Sequence, residues 1–258
     1  MTLMYLLEVR ELTKHFGGIR ALEEVSFKVK KGSITSIIGP NGAGKTTLFN
    51  CLTGLTKPTR GMIRLTDTDI TGRSPHRVVS LGIARTFQNI RLFRDMTVLE
   101  NVMVSQHQQM HSGLLKILTR HRAFLSEEEN ARRRAMEYLG LVGLECSADI
   151  PSFNLPYGDQ RRLEIARALA TEPSILLLDE PTAGMNPQET SEIMEIIRNL
   201  QKLGKTVILI EHDMKMVMGV SETIVVLDHG IKIAEGTPDM IRNDPLVIEA
   251  YLGKGIVA

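Results

Sequence analysis

Hydrophobic and polar residues follow distinct patterns along this chain, and each pattern predicts a different kind of element. Residues 5–29 alternate between apolar and polar side chains, most clearly at Val25, Phe27 and Val29, as half-buried antiparallel strands do. Residues 61–65 are interpreted as another such strand. Short runs rich in β-branched residues or leucine favour central parallel strands that helices cover on both faces. These runs are Ile34–Ile38, residues 175–178 and Thr206–Ile210.

Between about residues 92 and 170 the apolar positions recur at intervals of three and four, which predicts helices and a separate helical lobe. In this stretch glutamates at 127–129 precede arginines at 132–134. A separation of four between opposite charges supports a solvated helix through weak ion pairs, so we favour that interpretation over a nucleic-acid-binding patch. The apolar positions are Leu114, Leu115, Ile117, Leu118, Ala135, Tyr138, Leu139 and Leu141.

Composition and charge narrow the classes of function. The chain has 258 residues, of which 43% are hydrophobic, and it shows no internal repeat or low-complexity linker. These properties suit one large α/β domain. The net charge of +1 provides no overall field toward nucleic acid or an anionic membrane, so we expect no nucleic-acid partner.

The cysteines and the apolar segments favour a cytoplasmic protein. Cys51 and Cys146 are far apart and lack the spacing of metal ligands, so they predict neither a disulfide framework nor a zinc site. Charged residues interrupt the first ten positions before a signal-peptide core could form, and no apolar run reaches the roughly 18 residues of a membrane span. If the chain acts at a membrane, we expect it to dock on a partner.

The segment that follows Ile34–Ile38 matches the P-loop pattern and precedes a helix-compatible stretch. Glycines in such a loop let backbone N–H groups curl around phosphate oxygens, and the N-terminus of the next helix adds a partial positive charge. Lys45 is expected to reach the β and γ phosphates, and the Thr46 hydroxyl to ligate Mg²⁺. The residues of the loop are Gly39, Pro40, Asn41, Gly42, Ala43, Gly44, Lys45, Thr46 and Thr47.

The other two apolar runs also end in polar side chains. Asp179 and Glu180 form the Walker B arrangement, in which Asp179 would hold Mg²⁺ through water and Glu180 would polarise the attacking water as general base. His212 follows the last run and is expected to contact the γ-phosphate or that water. Because ligands in open α/β sheets bind outside the carboxyl ends of the strands, Lys45, Glu180 and His212 are expected to converge.

A loop directly upstream of residues 175–178 indicates which family these motifs resemble. Residues 154–162, Asn-Leu-Pro-Tyr-Gly-Asp-Gln-Arg-Arg, look like the LSGGQ signature of ABC ATPases, and the resemblance covers nearly the whole chain. The loop leads into an amphipathic helix whose N-terminus can hold an anion. In the family that anion is the γ-phosphate on the opposite subunit. The resemblance therefore implies two ATP molecules between two such domains.

The same resemblance implies the fold and its division. The fold would be that of a P-loop NTPase, α/β, with a mostly parallel RecA-like core sheet, an N-terminal antiparallel β subdomain and an inserted helical subdomain. A single nucleotide-binding domain would occupy residues 1–258. Its core with the β subdomain would take about 5–90 and 167–235, the helical subdomain with the signature about 91–166, and a C-terminal helical tail 236–258.

Further site residues are implied by the resemblance alone. Gln88 looks like the Q-loop glutamine that touches Mg²⁺ and senses the permease. Phe16 occupies the place of an aromatic residue that stacks on adenine, a contact worth about 1 to 3 kcal/mol. Residues 182–187 resemble the D-loop and include Asn186. The signature residues, which would act on the ATP of the partner, are Leu155, Pro156, Tyr157, Gly158 and Asp159.

The sequence departs from the family pattern at three of these positions. Pro156 replaces the usual serine and Asp159 the usual glutamine, so the hydroxyl contact to the γ-phosphate is missing. Gly158 and the helix N-terminus would then contribute more to that contact. Asn186 replaces the usual aspartate, which keeps hydrogen bonding and removes a charge.

These departures, the helical lobe and the ending at residues 245–253 are similar to the ATP-binding subunit of branched-chain amino acid importers. The resemblance implies an ATPase, with ATP and Mg²⁺ bound, at the cytoplasmic face of the membrane. Its partners would be a second ABC ATPase subunit in a hetero- or homodimer, two permease subunits in the inner membrane and, indirectly, an external substrate-binding protein. Urea and amide importers share the branch and remain an alternative.

Other classes of P-loop protein fit less well. Soluble ABC ATPases of DNA repair or translation usually carry two ATPase units or a long coiled coil, and neither is visible here. GTPases have an Asn-Lys-x-Asp motif that the chain lacks, and nucleotide kinases lack the signature helix. A nucleotide switch without turnover is disfavoured by Glu180 together with His212.

Overall fold

The strands of the computed structural model form two sheets within the residues that it describes, 5–106 and 122–252. The strands are β1 (Tyr5–Phe16), β2 (Ile19–Lys30), β3 (Ile34–Ile38), β4 (Arg60–Leu65), β5 (Thr68–Asp69), β6 (Ile83–Arg85), β7 (Ile175–Asp179), β8 (Thr206–Ile210), β9 (Thr223–Asp228) and β10 (Ile231–Gly236). The helices are α1 (Lys45–Leu52), α2 (Pro75–Ser80), α3 (Val98–Ser105), α4 (Arg122–Leu141), α5 (Tyr157–Leu169), α6 (Pro187–Lys202), α7 (Met214–Val220), α8 (Pro238–Arg242) and α9 (Pro245–Leu252).

The larger sheet has the strand order β10-β9-β3-β8-β7-β6. Its strands are parallel except β10, which pairs antiparallel with β9 at one edge. Every residue of β3, β7 and β8 is buried, which confirms the prediction of central parallel strands. Because these strands run in one direction, their carboxyl ends meet at one side of the sheet, called here the carboxyl edge.

The smaller sheet is antiparallel, as the alternating pattern predicts. Its order is β2-β1-β4-β5, and β1 pairs with β2 over most of their lengths. A two-residue turn between Phe16 and Ile19 joins these two strands. The turn consists of Gly17 and Gly18, and Gly17 has a φ of 57°. Glycine suits this position because a side chain would disfavour the left-handed conformation.

Two hydrophobic clusters cover opposite faces of the larger sheet. One contains Ile175 and Leu177 of β7 together with Phe49 of α1 and inward side chains of the smaller sheet. The other contains Leu176 and Leu178 together with apolar residues of α5 and α6. Because successive strand residues point to opposite faces, a single strand contributes to both clusters and holds the layers together.

Helices α3, α4 and α5 follow one another between β6 and β7. One residue from each, Leu99, Leu139 and Leu163, lies in a common cluster. Helix α3 begins at a capping box formed by Thr97 and Glu100. The predicted inserted helical part is therefore confirmed for the described residues, while its boundaries stay a prediction. The apolar positions 114–118 lie outside the described residues.

Sequence analysis did not identify the short strands β5 and β6 or the strands β9 and β10 of the larger sheet, although residues 224–227 of β9 form an apolar run like that of β3. Strand β6 has only three residues, too few to display a period. Strand β10 lies at the sheet edge, where none of its residues is buried, and its sequence contains no continuous apolar run. In the part of the chain that the structure describes, no helix has both the length and the apolar character needed to cross a bilayer.

Candidate active site

The P-loop occupies the carboxyl edge directly after β3, and two of its glycines are required by the close approach of other backbone segments. A Cβ on Gly39 would lie 2.0 Å from the Leu227 carbonyl oxygen of β9. A Cβ on Gly44 would lie 2.5 Å from the Ala21 carbonyl oxygen of β2. Both residues also have positive φ angles, 149° and 99°. No described side chain caps α1, so its first N–H groups are available to an anion.

Lys45 lies folded across the P-loop. Its Nζ donates hydrogen bonds to the carbonyl oxygens of Gly39 at 2.7 Å and Pro40 at 3.0 Å. Burial lowers the pKa of Lys45, while the nearby negative charges of Glu180 and Asp179 act in the opposite direction. The structure thus brings the lysine and both Walker B carboxylates into one electrostatic environment. Thr46 is exposed and Thr47 is half-buried beside it.

Asp179 is the last residue of β7 and is only 5% exposed. Its Oδ2 accepts a hydrogen bond of 2.6 Å from Nη2 of Arg85, and both side chains are 7% exposed. Its backbone N–H donates to Oγ1 of Thr86 at 3.3 Å. The end of β6 therefore holds the aspartate through both its side chain and its backbone.

Glu180 has a left-handed backbone, with a φ of 47°. Such a conformation is uncommon for residues other than glycine, asparagine and aspartate, and in a longer side chain it is often found at functional sites. The Glu180 N–H donates to the Ile210 carbonyl oxygen at 2.9 Å, so the turn is fixed to the end of β8. The chain leaves the sheet at this residue, which gives Glu180 a position on the carboxyl edge.

The Glu180 carboxylate lies between two other predicted site residues. Its Oε2 accepts a hydrogen bond of 2.9 Å from Nε2 of Gln88. Its Oε1 lies 3.6 Å from Nδ1 of His212, whose side chain is 60% exposed. The structure therefore brings Glu180, Gln88 and His212 together. Gln88 contacts Glu180 here, whereas the family resemblance assigns it to Mg²⁺.

Phe16 ends β1 with its side chain 48% exposed. The ammonium of Lys14 lies 4.7 Å from the centre of its ring. The hairpin that carries Phe16 continues into β2, where Ala21 approaches Gly44 of the P-loop. Phe16 is therefore an exposed aromatic residue, the type that stacking on a base requires, on the hairpin that reaches the P-loop.

The signature residues lie at the start of α5. Leu155 is buried, Pro156 is the N-cap residue and Tyr157 is 44% exposed. A Cβ on Gly158 would lie 2.9 Å from Oε1 of Glu189 on α6, so the two helix starts are close together. Asp159 accepts a hydrogen bond from Arg162 one turn later. Among the described residues no hydrogen bond or ion pair joins this segment to the P-loop of the same chain.

Asn186 caps α6. Its Oδ1 accepts from the N–H groups of Gln188 at 2.9 Å and Glu189 at 3.0 Å. In return Oε2 of Glu189 accepts from the Asn186 N–H at 2.9 Å, which completes a capping box. The residue that departs from the family's aspartate therefore retains a structural task that either amino acid can perform.

Arg161 lies within the signature-like segment, but sequence analysis assigned it no role. Its side chain is 3% exposed, and its guanidinium donates to the carbonyl oxygen of Phe87 at 2.7 Å and to that of Gln88. It also pairs with Glu164 at 3.1 Å, and Glu164 accepts from the Arg91 N–H at 3.1 Å. Burial raises the pKa of Glu164. Helix α5 thus holds the loop that carries Gln88, and charged residues on its buried face were the available signal.

Glu211 is a second residue whose role the sequence did not reveal. It is 1% exposed, and its Oε1 accepts from the N–H of Thr182 at 3.0 Å and from its hydroxyl at 2.6 Å. Its Oε2 accepts from the His212 N–H at 3.1 Å. The carboxylate joins the end of β8 to the turn that follows Glu180 and so positions His212 relative to that turn.

Tyr251 brings the C-terminal helix α9 to the P-loop. Burial raises the pKa of its phenol, and a hydrogen bond with the Gly39 backbone acts in the opposite direction.

Comparisons with known proteins agree with this geometry. The sequence model described as ABC transporter matches residues 22–183, and the one described as branched-chain amino acid ATP-binding cassette transporter matches residues 232–256. The chain is 50% identical over 250 residues to the high-affinity branched-chain amino acid transport ATP-binding protein LivG of Salmonella typhimurium, which covers 96% of this chain and 98% of that protein.

Two solved structures are similar as well. The ADP conformation of MJ1267, an ATP-binding cassette of an ABC transporter, superposes with a TM-score of 0.84 at 34% identity and covers 97% of this chain and 100% of that one. The dimeric structure of MJ0796, a bacterial ABC transporter cassette, superposes with a TM-score of 0.76 at 29% identity and covers 90% and 98%. The family match spans more than half of the chain and the curated relative nearly all of it, so the chain belongs to the ABC transporter family and has the fold of its ATP-binding cassettes.

Proposed function

We propose that this chain hydrolyses ATP to ADP and phosphate and thereby drives branched-chain amino acid import through an ABC transporter. The observation that supports hydrolysis is the common location of Lys45, Asp179 and Glu180 at the carboxyl edge. The substrate class follows from the likeness to LivG over nearly the full length of both chains. The match of residues 232–256 to a branched-chain amino acid cassette model supports the same substrate.

The residues at the carboxyl edge fit Mg²⁺. Thr46, Asp179 and Gln88 offer hydroxyl, carboxylate and amide oxygens, the donors that Mg²⁺ prefers. Gln88 uses its amide nitrogen on Glu180, so its amide oxygen is a separate donor. When bound, Mg²⁺ would supply charge neutralisation on the phosphate oxygens.

The chain's own groups would act in a simple order. The P-loop N–H groups and the start of α1 bind the phosphates, and Lys45 exchanges its carbonyl partners Gly39 and Pro40 for phosphate oxygens. Phe16 stacks on the adenine. Glu180 accepts the proton of the attacking water at its carboxylate, and His212, 3.6 Å from that carboxylate, orients the water or the γ-phosphate.

The signature residues would act on a second cassette. Pro156 and Tyr157 are exposed, and the N-terminus of α5 has no side-chain cap among the described residues. An uncapped helix start suits a phosphate presented by a partner subunit. We therefore propose a dimer with a second ABC ATPase subunit, either the same or related. Two permease subunits in the membrane above it and an external substrate-binding protein would complete the transporter, and the chain would lie on the cytoplasmic face.

Purification of the tagged chain from gently solubilised native membranes tests the assembly. We expect two multi-spanning permeases and a second ATPase to be recovered with it. Proteoliposomes that contain this complex, with ATP and Mg²⁺ enclosed and the external substrate-binding protein added outside, should take up radiolabelled leucine. Uptake of urea or an amide alone would replace the substrate class, and recovery of only ribosomes or DNA-repair proteins would overturn the transport proposal.

A further inference from the structure

The buried ion pair between Arg85 and Asp179 joins the Walker B strand to the segment that leads to Gln88. The pair is 2.6 Å long, and its partners are 94 residues apart in the sequence. Arg85 is the last residue of β6 and pairs with Leu177 of β7. Because residues two apart on a strand face the same side, the pairing places Arg85 on the face of the sheet toward which Asp179 points.

Arg85 is itself held by α1, the helix that begins in the P-loop. Its Nη1 donates to Oδ1 of Asn50 at 2.7 Å, and its guanidinium lies 5.4 Å from the centre of the Phe49 ring. The ring of Phe87, two residues after Arg85, has its centre 5.5 Å from the same guanidinium. The arginine therefore has a fixed position relative to the P-loop helix as well as to β7.

The contact engages one carboxylate oxygen of Asp179. Arg85 bonds to Oδ2, and among the described residues no hydrogen bond reaches Oδ1. The Asp179 N–H is bonded to Thr86, so backbone and side chain are both oriented by neighbouring residues of the same segment. A carboxylate fixed in this way presents its other oxygen in a defined direction.

Stability alone does not account for this pair. Buried ion pairs are often no more stabilising than well-packed apolar side chains of similar volume. Side chains behind a metal ligand commonly fix its orientation, and their loss typically lowers metal affinity 10- to 100-fold.

We propose that Arg85 is a positioning residue that orients the Asp179 carboxylate for Mg²⁺. The inference rests on the proposed function, in which Asp179 holds that ion. The positive charge of Arg85 repels Mg²⁺, whereas its hydrogen bond holds the Asp179 carboxylate in the orientation that binds the ion. The two effects on Mg²⁺ affinity therefore oppose each other. Arg85→Lys keeps the charge and changes the geometry, because lysine cannot reproduce the planar fork that bonds Asp179 and Asn50 together.

The experiment measures binding of a fluorescent ATP analogue to the purified chain as Mg²⁺ is titrated. For Arg85→Lys we expect the Mg²⁺ midpoint to rise about tenfold or more, while affinity for the analogue in EDTA changes little. Arg85→Gln should show a smaller rise, because loss of the positive charge partly offsets the loss of orientation. Melting temperatures without ligand separate this effect from a general loss of structure.

Arg134→Lys is the matched control. Arg134 makes a 3.3 Å pair with Glu172 in which both side chains are at least a third exposed, so its Mg²⁺ midpoint should stay within about twofold of the wild type. If neither Arg85 variant folds, Asn50→Ala carries the test, since it leaves the ion pair and removes its support on α1. A raised midpoint is then expected.

The outcomes are distinct. An unchanged or lowered midpoint in Arg85→Lys, or in Asn50→Ala where that variant carries the test, overturns the positioning role and leaves the proposed ATPase intact. Wild-type protein that binds the analogue equally with and without Mg²⁺ overturns the role of Asp179 as an Mg²⁺ ligand and this inference with it, while phosphate release by the same protein tests the proposed ATPase separately. A loss of binding in EDTA as large as that in Mg²⁺ shows a merely structural role and also overturns the inference.

Discussion

The carboxyl ends of β3, β7 and β8 and the starts of α5 and α6 hold their polar side chains in different ways. At the carboxyl edge, Gly39 has no room for a side chain, and strand β7, which ends at Asp179, and strand β8, which precedes His212, are wholly buried. At the helix starts, called here the signature face, Pro156, Tyr157 and Asn186 are exposed; a capping box holds Asn186, and no described side chain caps α5. Backbone packing and buried side-chain contacts such as that of Arg85 with Asp179 fix the first region, whereas the second is exposed and a capping box orders the start of α6.

The difference indicates where each region finds its ligand. The carboxyl edge contains a lysine, two carboxylates and a histidine around one space within a single chain. The signature face directs its exposed groups outward. Changes at the first region should therefore alter chemistry in the isolated chain. Changes at the second should alter stability or the response to a partner.

Glu180→Gln tests the prediction for the carboxyl edge and should have the largest effect on activity. The amide can still hydrogen-bond but cannot accept a proton, so phosphate release should fall about 100-fold or more while affinity for ATP is retained. Phosphate release and analogue binding by the purified variant measure the two quantities. Hydrolysis at the wild-type rate would remove Glu180 from the role of general base.

Arg161→Met tests the prediction for the signature face. Removing the guanidinium leaves Glu164 buried without its ion-pair partner and frees the carbonyl groups of Phe87 and Gln88, so the free energy of unfolding should fall by about 3 to 5 kcal/mol. Urea denaturation measures the loss. Arg134→Met, which removes an exposed arginine from its pair with Glu172, should cost no more than about 1 kcal/mol. Equal losses of unfolding free energy in the two variants would show that the burial of Arg161 beneath the signature face does not determine its contribution to stability.

Glu180→Gly and Glu180→Ala sharpen the account of the carboxyl edge. Both remove the carboxylate, but only glycine adopts the observed φ of 47° without strain, so the glycine variant should be more stable by about 1 to 2 kcal/mol. Thermal unfolding of the two proteins makes the comparison directly. Identical stabilities would mean that the left-handed turn relaxes once the side chain is gone.

Asn186 variants should have the smallest effect, and they separate the capping role of this residue from its resemblance to the D-loop aspartate. Asn186→Ala removes the cap of α6 and should cost about 1 kcal/mol, whereas Asn186→Asp keeps the cap and should change stability by no more than a few tenths. Urea unfolding of the isolated chain measures both. A loss in Asn186→Asp as large as that in Asn186→Ala would contradict the capping role.

The elements predicted from the sequence have a local signal, although the apolar run of β9 was missed. The apolar runs give the bounds of β3 and β8 without error, and the P-loop glycines follow from the conformations that phosphate binding needs. Strand β6 was not predicted because its three residues become a strand only through pairing with β7, about 90 residues further along. Long-range partners leave no periodic trace in a single sequence.

The same limit applies to the site. The motif residues were found because each carries its chemistry in its own side chain, as Lys45 and Glu180 do. Arg85, Arg161 and Glu211 act through groups that are 94, 73 and 29 residues distant in the sequence, so only the folded chain shows their partners. The roles assigned to Arg85 and Arg161 remain predictions for the variants described above.

The position of Lys45 on the carbonyl oxygens of Gly39 and Pro40 has a kinetic consequence. The P-loop backbone is already ordered by contacts with β2 and β9, so nucleotide entry requires one flexible side chain to change rotamer rather than a loop to refold. Rotamer changes of exposed side chains take picoseconds to nanoseconds, whereas collective domain motions take microseconds to milliseconds. The encounter between nucleotide and chain, and not rearrangement of the loop, would then limit the rate of ATP capture.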